Sequence, residues 1–165
     1  MIGLPVSYLL KMPRIKLTEL TSYEFCHHLT VRATDINYAG HLGNEALLGL
    51  VHEARSQFTA LLGFDTIVVK PNQVGLIIAD LVVNFKSEAF NQDSLEVNCQ
   101  FGEVRERSVR LFYCIRRTGQ VIALVETGLV AFDYQARKVV QLPKDFLAAL
   151  EKYRMGQSCE ELEKL

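Results

Sequence analysis

The sequence predicts an α+β fold: one strand, one long helix, then several consecutive antiparallel strands, with the helix lying on one face of the sheet. Two patterns carry this expectation. Between Asn44 and Gly63, Leu47, Leu50, Val51, Ala54, Phe58, Leu61 and Leu62 recur at spacings of three and four. They form an apolar stripe on the order of 120° wide that something must cover. After it come runs of period two, in which Leu95, Val97, Cys99 and Phe101 alternate with Glu96, Asn98 and Gln100. That alternation belongs to half-buried strands.

Taken in order, Tyr23 to Thr34 is rich in β-branched and aromatic residues without a breaker and predicts the first strand. Asn44 is placed to N-cap the helix, and Gly63 suits its C-terminal exit. Val74 to Ala89 carries a long β-branched run, and Val109, Leu111, Tyr113 and Ile115 repeat the strand period. Thr118-Gly119 supplies a hairpin turn into a strand from Gln120 to Asp133, Tyr134 to Arg137 form another turn, and Lys138 to Leu142 a short strand. Asp145 to Tyr153, opened by Pro143, predicts a terminal helix.

A chain of 165 residues fits one domain, expected over residues 23–165 after an N-terminal extension at 1–22. A domain of this size buries roughly 70 % of its unfolded surface and needs no metal or disulfide staple. The formal net charge of −1, with basic residues scattered rather than clustered, argues against nucleic acid as the ligand. Cys26, Cys99, Cys114 and Cys159 form no C-x-x-C pair, which fits reduced thiols in a cytoplasmic protein. Met1 to Leu10 is apolar but lacks a basic n-region and is broken by Pro5, so neither a signal peptide nor stable membrane insertion is expected. A surface anchor and a docked or frayed extension remain open for it, and Met12 is an alternative start.

Chemistry concentrates between the first strand and the helix, from Val31 to Asn44, where acid, amide, imidazole and glycine crowd one turn. Gly40 and Gly43 flank His41 and allow unusual backbone conformation and close approach of a ligand. His27, His28 and His52 do not predict a metal site, because neighbours on a strand face opposite ways and His52 lies on the polar side of the helix.

The segment from Val31 to Gly63 resembles the hotdog-fold acyl-CoA thioesterases of the 4-hydroxybenzoyl-CoA thioesterase type. Their first strand ends in R-x-x-D-x-D-x-x-G-H-x-x-N, and their helix carries E-A-R and ends in L-G. Arg32, Asp35, Gly40, His41, Asn44, Glu53, Ala54, Arg55, Leu62 and Gly63 match in order. The resemblance implies a sheet wrapped around the long helix, a homodimer or a tetramer of dimers with acyl-CoA sites at the subunit interface, and no cofactor. It also implies a substrate-binding turn through Tyr38, Gly40, Leu42, Gly43 and Asn44, with helix-start amides polarising the thioester carbonyl.

One position departs from the pattern: the second aspartate of D-x-D, the family's usual catalytic carboxylate, is Asn37. Asparagine can orient water or a carbonyl but cannot accept a proton at neutral pH. The proton-accepting role then falls to Asp35, His41 or Glu53. Each has a structural reading beside the catalytic one. Asp35 can bond turn amides, His41 can hold the helix entry, and Glu53 can pair with Arg32, Arg55 or the turn backbone. Asn37 itself can adopt the left-handed conformation. Two further functions stand beside thioester hydrolysis. One is a non-catalytic acyl-CoA or acyl-carrier binding protein. The other is a hotdog enoyl-CoA hydratase, whose D-x-N-x-x-H pattern Asp35, Asn37 and His41 approach with one residue too many. Arg105, Arg107, Arg110, Arg116 and Arg117, near strand ends, can meet CoA phosphates or form a solvated edge.

Overall fold

In the computed structural model, which describes residues 14–64 and 74–162 with side chains through Gly156, the strands form one antiparallel sheet and the helices lie against it. The strands are β1 (Phe25–Thr30), β2 (Val74–Phe85), β3 (Ser94–Val104), β4 (Ser108–Arg117), β5 (Gln120–Asp133) and β6 (Lys138–Val139). Their order is β1-β3-β4-β5-β2, with β6 paired to the end of β5. The long helix α1 spans Asn44–Leu61, and α2 spans Lys144–Leu162.

The alternation that predicts the strands also decides which face packs. Leu95, Val97, Cys99 and Phe101 of β3, with Val109, Leu111, Tyr113 and Ile115 of β4, are buried on the face that meets α1. From α1 the stripe Leu47, Leu50, Val51, Ala54, Phe58 and Leu62 is buried against them, while Leu61 is exposed at the helix end. Phe58 sits at the centre of an aromatic cluster, with ring centroids 4.8 Å from Phe25, 4.9 Å from Phe101 and 5.5 Å from Tyr153. This cluster ties β1, β3 and both helices together.

Local turn chemistry sets the ends. At the C-terminus of α1, Gly63 adopts φ +78°, its N–H donates to the Ala60 carbonyl, and the Phe64 N–H reaches back to that of Thr59. That pair of bonds is the Schellman closure, and glycine supplies the left-handed residue it needs. Thr118 and Gly119 both have positive φ, 48° and 82°, which matches the right-handed twist of the β4–β5 hairpin.

The ends of five elements move from the sequence expectation. The first strand ends at Thr30, and Ala33–Asp35 form a short 3-10 turn, so Asp35 and Asn37 do not alternate along a strand. The second strand stops at Phe85 rather than Ala89, because the Lys86 and Ser87 amides both turn to the Ile122 carbonyl. The Lys138–Leu142 strand shortens to two residues, and the terminal helix begins at Lys144 and runs to Leu162. Finally, Gly43 and not Asn44 is the N-cap of α1, which starts with Asn44 already helical.

From the expected N-terminal extension, the Leu17 N–H donates to Asn84 Oδ1 at 2.8 Å, and Asn84 Nδ2 donates to the Ile15 carbonyl at 3.1 Å. The question of the apolar Met1–Leu10 segment lies outside the described residues. Among the described residues, no helix is long and apolar enough to cross a membrane.

Because Phe58 is fully buried and joins four elements, Phe58→Ala is expected to cost about 3–5 kcal/mol of unfolding free energy, measured by urea titration.

Candidate active site

The turn from Val31 to Gly43 is held at both ends by backbone bonds to the β2–β3 connection. Val31 exchanges bonds with that connection, its N–H donating to the Asp93 carbonyl and its carbonyl accepting from the Gln92 N–H, both at 2.9 Å. At the other end the Leu42 N–H donates to the Ala89 carbonyl at 2.8 Å, and the Gly43 N–H donates to the Asp35 carbonyl, also at 2.8 Å. Asp93 in turn stiffens the connection by accepting from the Phe90 amide at 2.7 Å and from Arg117 at 2.6 Å.

Within this frame each predicted residue has a definite place. Asp35 is buried, and its carboxylate accepts the Arg32 N–H at 2.8 Å and the Arg32 guanidinium at 3.0 and 3.1 Å. The hydrogen bond from Arg32 holds its carboxyl below the usual carboxylate range, against the cost of burial. A carboxylate engaged on this many donors closes the turn and is not free to take a proton from water. Glu53 accepts from Gln57 at 2.8 Å along the helix surface. It follows Asn44 by nine residues, hence roughly 14 Å along the axis. Its carboxylate is nevertheless near enough to Arg32 of the turn to act on that guanidinium through charge.

His41 and Asn37 do come together. Asn37 Oδ1 accepts the Ala39 N–H at 2.9 Å, which orients the amide so that its Nδ2 donates to His41 Nε2 at 3.1 Å. With Nε2 an acceptor, the neutral imidazole carries its proton on Nδ1. That nitrogen faces Glu88 Oε1 at 3.5 Å. Asn37 keeps a negative φ, and it is Gly40, at φ +85°, that makes the left-handed turn.

His41, Leu42 and Asn44 line a cleft of about 250 Å³ with Leu47, Phe85, Lys86, Ser87, Glu88, Ala89 and Ile122. The first turn of α1 opens beside it. No side chain caps that helix, since the N-cap is glycine, and the amides that start an α-helix have no partner within it. Tyr38 is fully exposed on the outside of the turn, and Gly43 is buried beneath it.

Two features escaped the sequence pattern. Glu88 is a single exposed glutamate far along the chain from His41, with no local motif to mark it. Arg55, matched only as part of E-A-R, is buried. It donates from Nη2 to His52 Nδ1 at 2.7 Å, while its Nε and Nη1 have no hydrogen-bond partner among the described residues. Burial and then the neighbouring Arg55 charge lower the pKa of His52, which keeps the ring neutral as an acceptor.

The arginines near the strand ends are mostly paired. Arg110 spans Asp80 and Glu126 at 2.6 Å each, on the sheet face away from α1, where they line a concavity of about 470 Å³. Arg116 pairs with Glu19, Arg117 with Asp93, and Arg105 with Glu103 at 3.0 Å.

Known proteins share this fold. Residues 31–150 match the model of the thioesterase-like superfamily, a span that includes the turn, α1 and all but the first strand of the sheet. The chain belongs to that superfamily. Its structure is similar to that of a gentisyl-coenzyme A thioesterase, at 22 % identity and a TM-score of 0.69 over 76 % of this chain and 98 % of the other. It is similar also to a 1,4-dihydroxy-2-naphthoyl-CoA thioesterase from Synechocystis, at 21 % identity and a TM-score of 0.70 over 76 % and 93 % of the two chains. No curated protein matches the sequence. The fold is the hotdog fold, as the sequence resemblance implied.

Two outcomes check this geometry. Asp35 has a lowered folded-state pKa, so its stabilisation is complete above its unfolded value of about 3.9 and fades as pH falls through the folded value. Urea midpoints of wild type and Asp35→Asn should therefore differ most near neutral pH and converge on strong acidification. Nitrogen-15 NMR of neutral His41 should show the proton on Nδ1, and Asn37→Ala should release that preference.

Proposed function

We propose that the protein hydrolyses an acyl-CoA thioester to a free acid and CoA. The observation that carries the reading is the cleft in which His41 and the uncapped start of α1 stand side by side. Amides at the positive end of a helix polarise a thioester carbonyl and stabilise the oxyanion that forms when water attacks. The substrate-binding turn is made by Gly40, Leu42, Gly43 and Asn44, with Tyr38 on the outer rim, and Asn37 orients the imidazole beside it. Membership of the thioesterase-like superfamily supports the reaction class. Of the three residues that the sequence offers in place of the missing aspartate, His41 is the one that lines the cleft.

The working unit is a homodimer. Among the described residues β2 ends the sheet and pairs with β5 alone, yet it exposes Ile78, Leu81 and Phe85. An open apolar edge strand is a ready template for a second copy. Phe85 also lines the cleft, so a partner paired along β2 would wall the acyl site, as the resemblance implies. Free thiols at Cys26, Cys99 and Cys114 support a cytoplasmic location, and burial pushes the thiols of Cys99 and Cys114 above the ordinary range.

Purified protein should release free thiol from at least one member of a broad acyl-CoA panel, and His41→Ala should reduce kcat by about a hundredfold. CoA binding without thiol release from any thioester would mark a binding protein instead, and loss of enoyl absorbance from crotonyl-CoA a hydratase. Light scattering should give twice the 18.7 kDa chain mass, and Leu81→Asp should shift the population toward monomer.

A further inference from the structure

We propose that Glu88 is the catalytic carboxylate of this cleft, filling from the β2–β3 connection the role that the family resemblance assigns to the position now held by Asn37. The inference rests on the hydrolase reading above and deepens it. Three observations carry it: the direction of the hydrogen bonds around His41, the anchoring of the backbone on both sides of Glu88, and the engagement of the other carboxylates.

The hydrogen bonds run one way. The Ala39 N–H fixes the Asn37 amide, Asn37 Nδ2 occupies His41 Nε2, and Nδ1, which carries the remaining imidazole proton, lies 3.5 Å from Glu88 Oε1. With its Nε2 lone pair taken, His41 is a donor here and not a base. Its Nδ1 stands 3.5 Å from one carboxylate oxygen of Glu88 and leaves the other to accept a proton. Such contacts are commonly long before substrate enters and shorten in the complex. Asn37 fits this arrangement better than aspartate would. An aspartate there would put a second negative charge beside the imidazole and give Nε2 an acceptor instead of a donor.

Glu88 is also held in place. Immediately before it, the Lys86 and Ser87 amides donate to the Ile122 carbonyl at 2.8 and 3.1 Å. Immediately after it, the buried Ala89 accepts the Leu42 N–H at 2.8 Å, directly behind His41. The backbone is thus fixed on either side while the side chain is 63 % exposed on the cleft wall. Other ionisable groups near the turn do not compete for the role. Asp35 is closed on Arg32, Glu53 is engaged by Gln57 on the helix surface, and the Glu45 carboxylate folds back over Gly43 at the helix start. Lys86, the cation on the same wall, is placed to hold substrate charge.

The step balances without a co-reactant. Water gives a proton to Glu88 as its oxygen bonds to the thioester carbon, and the carbonyl electron pair moves onto the oxygen above the α1 amides. Collapse of that oxyanion breaks the C–S bond, and the departing thiolate takes the proton back from Glu88. The products are the free acid and the CoA thiol, with the carboxylate restored. His41 and Asn37 are positioning residues in this scheme.

The test measures thiol release from the best acyl-CoA of the panel across pH, with full-length wild type, Glu88→Gln, Glu88→Asp and the double variant Asn37→Asp/Glu88→Gln. Glu88→Gln should lower kcat by about a hundredfold with KM little changed, and should remove the acidic limb of the pH profile. Glu88→Asp should keep part of the rate. The double variant should recover at least about tenfold over Glu88→Gln by returning a carboxylate to the position the family uses. Thermal melts, expected to match because Glu88 is exposed, separate loss of chemistry from loss of fold. An active wild type with Glu88→Gln within about threefold of it would overturn the role of Glu88 and leave the hydrolase reading standing. A wild type that releases no thiol from any thioester would overturn both.

Discussion

Burial of the apolar stripe of α1 against the sheet is the constraint on which the rest depends. A helix with a stripe this wide cannot stay solvated, and the matching surface is the inward face of β1, β3 and β4. Phe58, packed among Phe25, Phe101 and Tyr153, fixes the helix along its length and brings α2 onto the same cluster. Once that contact is made, the N-terminus of α1 has only one place to be, at the edge of the β2–β3 connection. The cleft exists because the helix begins there.

The turn that leads into α1 is tightened by two different means. Asp35, on the inner side, closes it with a short-range carboxylate–arginine contact and a carbonyl that receives Gly43. On the outer side, backbone bonds to Ala89, Gln92 and Asp93 fasten it to a distant piece of chain. The first gives the aspartate at 35 a structural task in the turn. The second explains how a residue of the β2–β3 connection comes to face His41. Leaving the helix uncapped is consistent with this division, since Gly43 gives the chain its entry geometry and leaves amides open to a substrate.

Much of the fold was legible because its signals are local. The three-and-four spacing of Leu47 to Leu62, the alternation from Leu95 to Phe101, and the glycines at 63 and 119 each act within a few residues and held in the structure. The ends of elements were less legible. Asn44 is a good capping residue by type, but Gly43, its amide taken by the Asp35 carbonyl, holds the cap position and the helix starts one residue earlier than a cap at Asn44 allows. The first strand stops at Thr30 because Arg32 and Asp35 capture each other and wind Ala33–Asp35 into a 3-10 turn. Side-chain competition of this kind overrides a β-branched run.

The site divides along the same line. By itself the sequence determined the class of fold, the crowding of acid, amide, imidazole and glycine into the Val31–Asn44 turn, and an amide at Asn37 where the resembling family carries a carboxylate, because residue types and spacings within one segment suffice for these. Only the tertiary structure decided which group meets which: Asp35 with Arg32, Glu53 with Gln57, and His41 between Asn37 and Glu88. The physical reason is that proton transfer depends on separations of a few ångströms between side chains. For residues as far apart in sequence as His41 and Glu88, those separations are set by packing the helix on the sheet and leave no trace in local pattern.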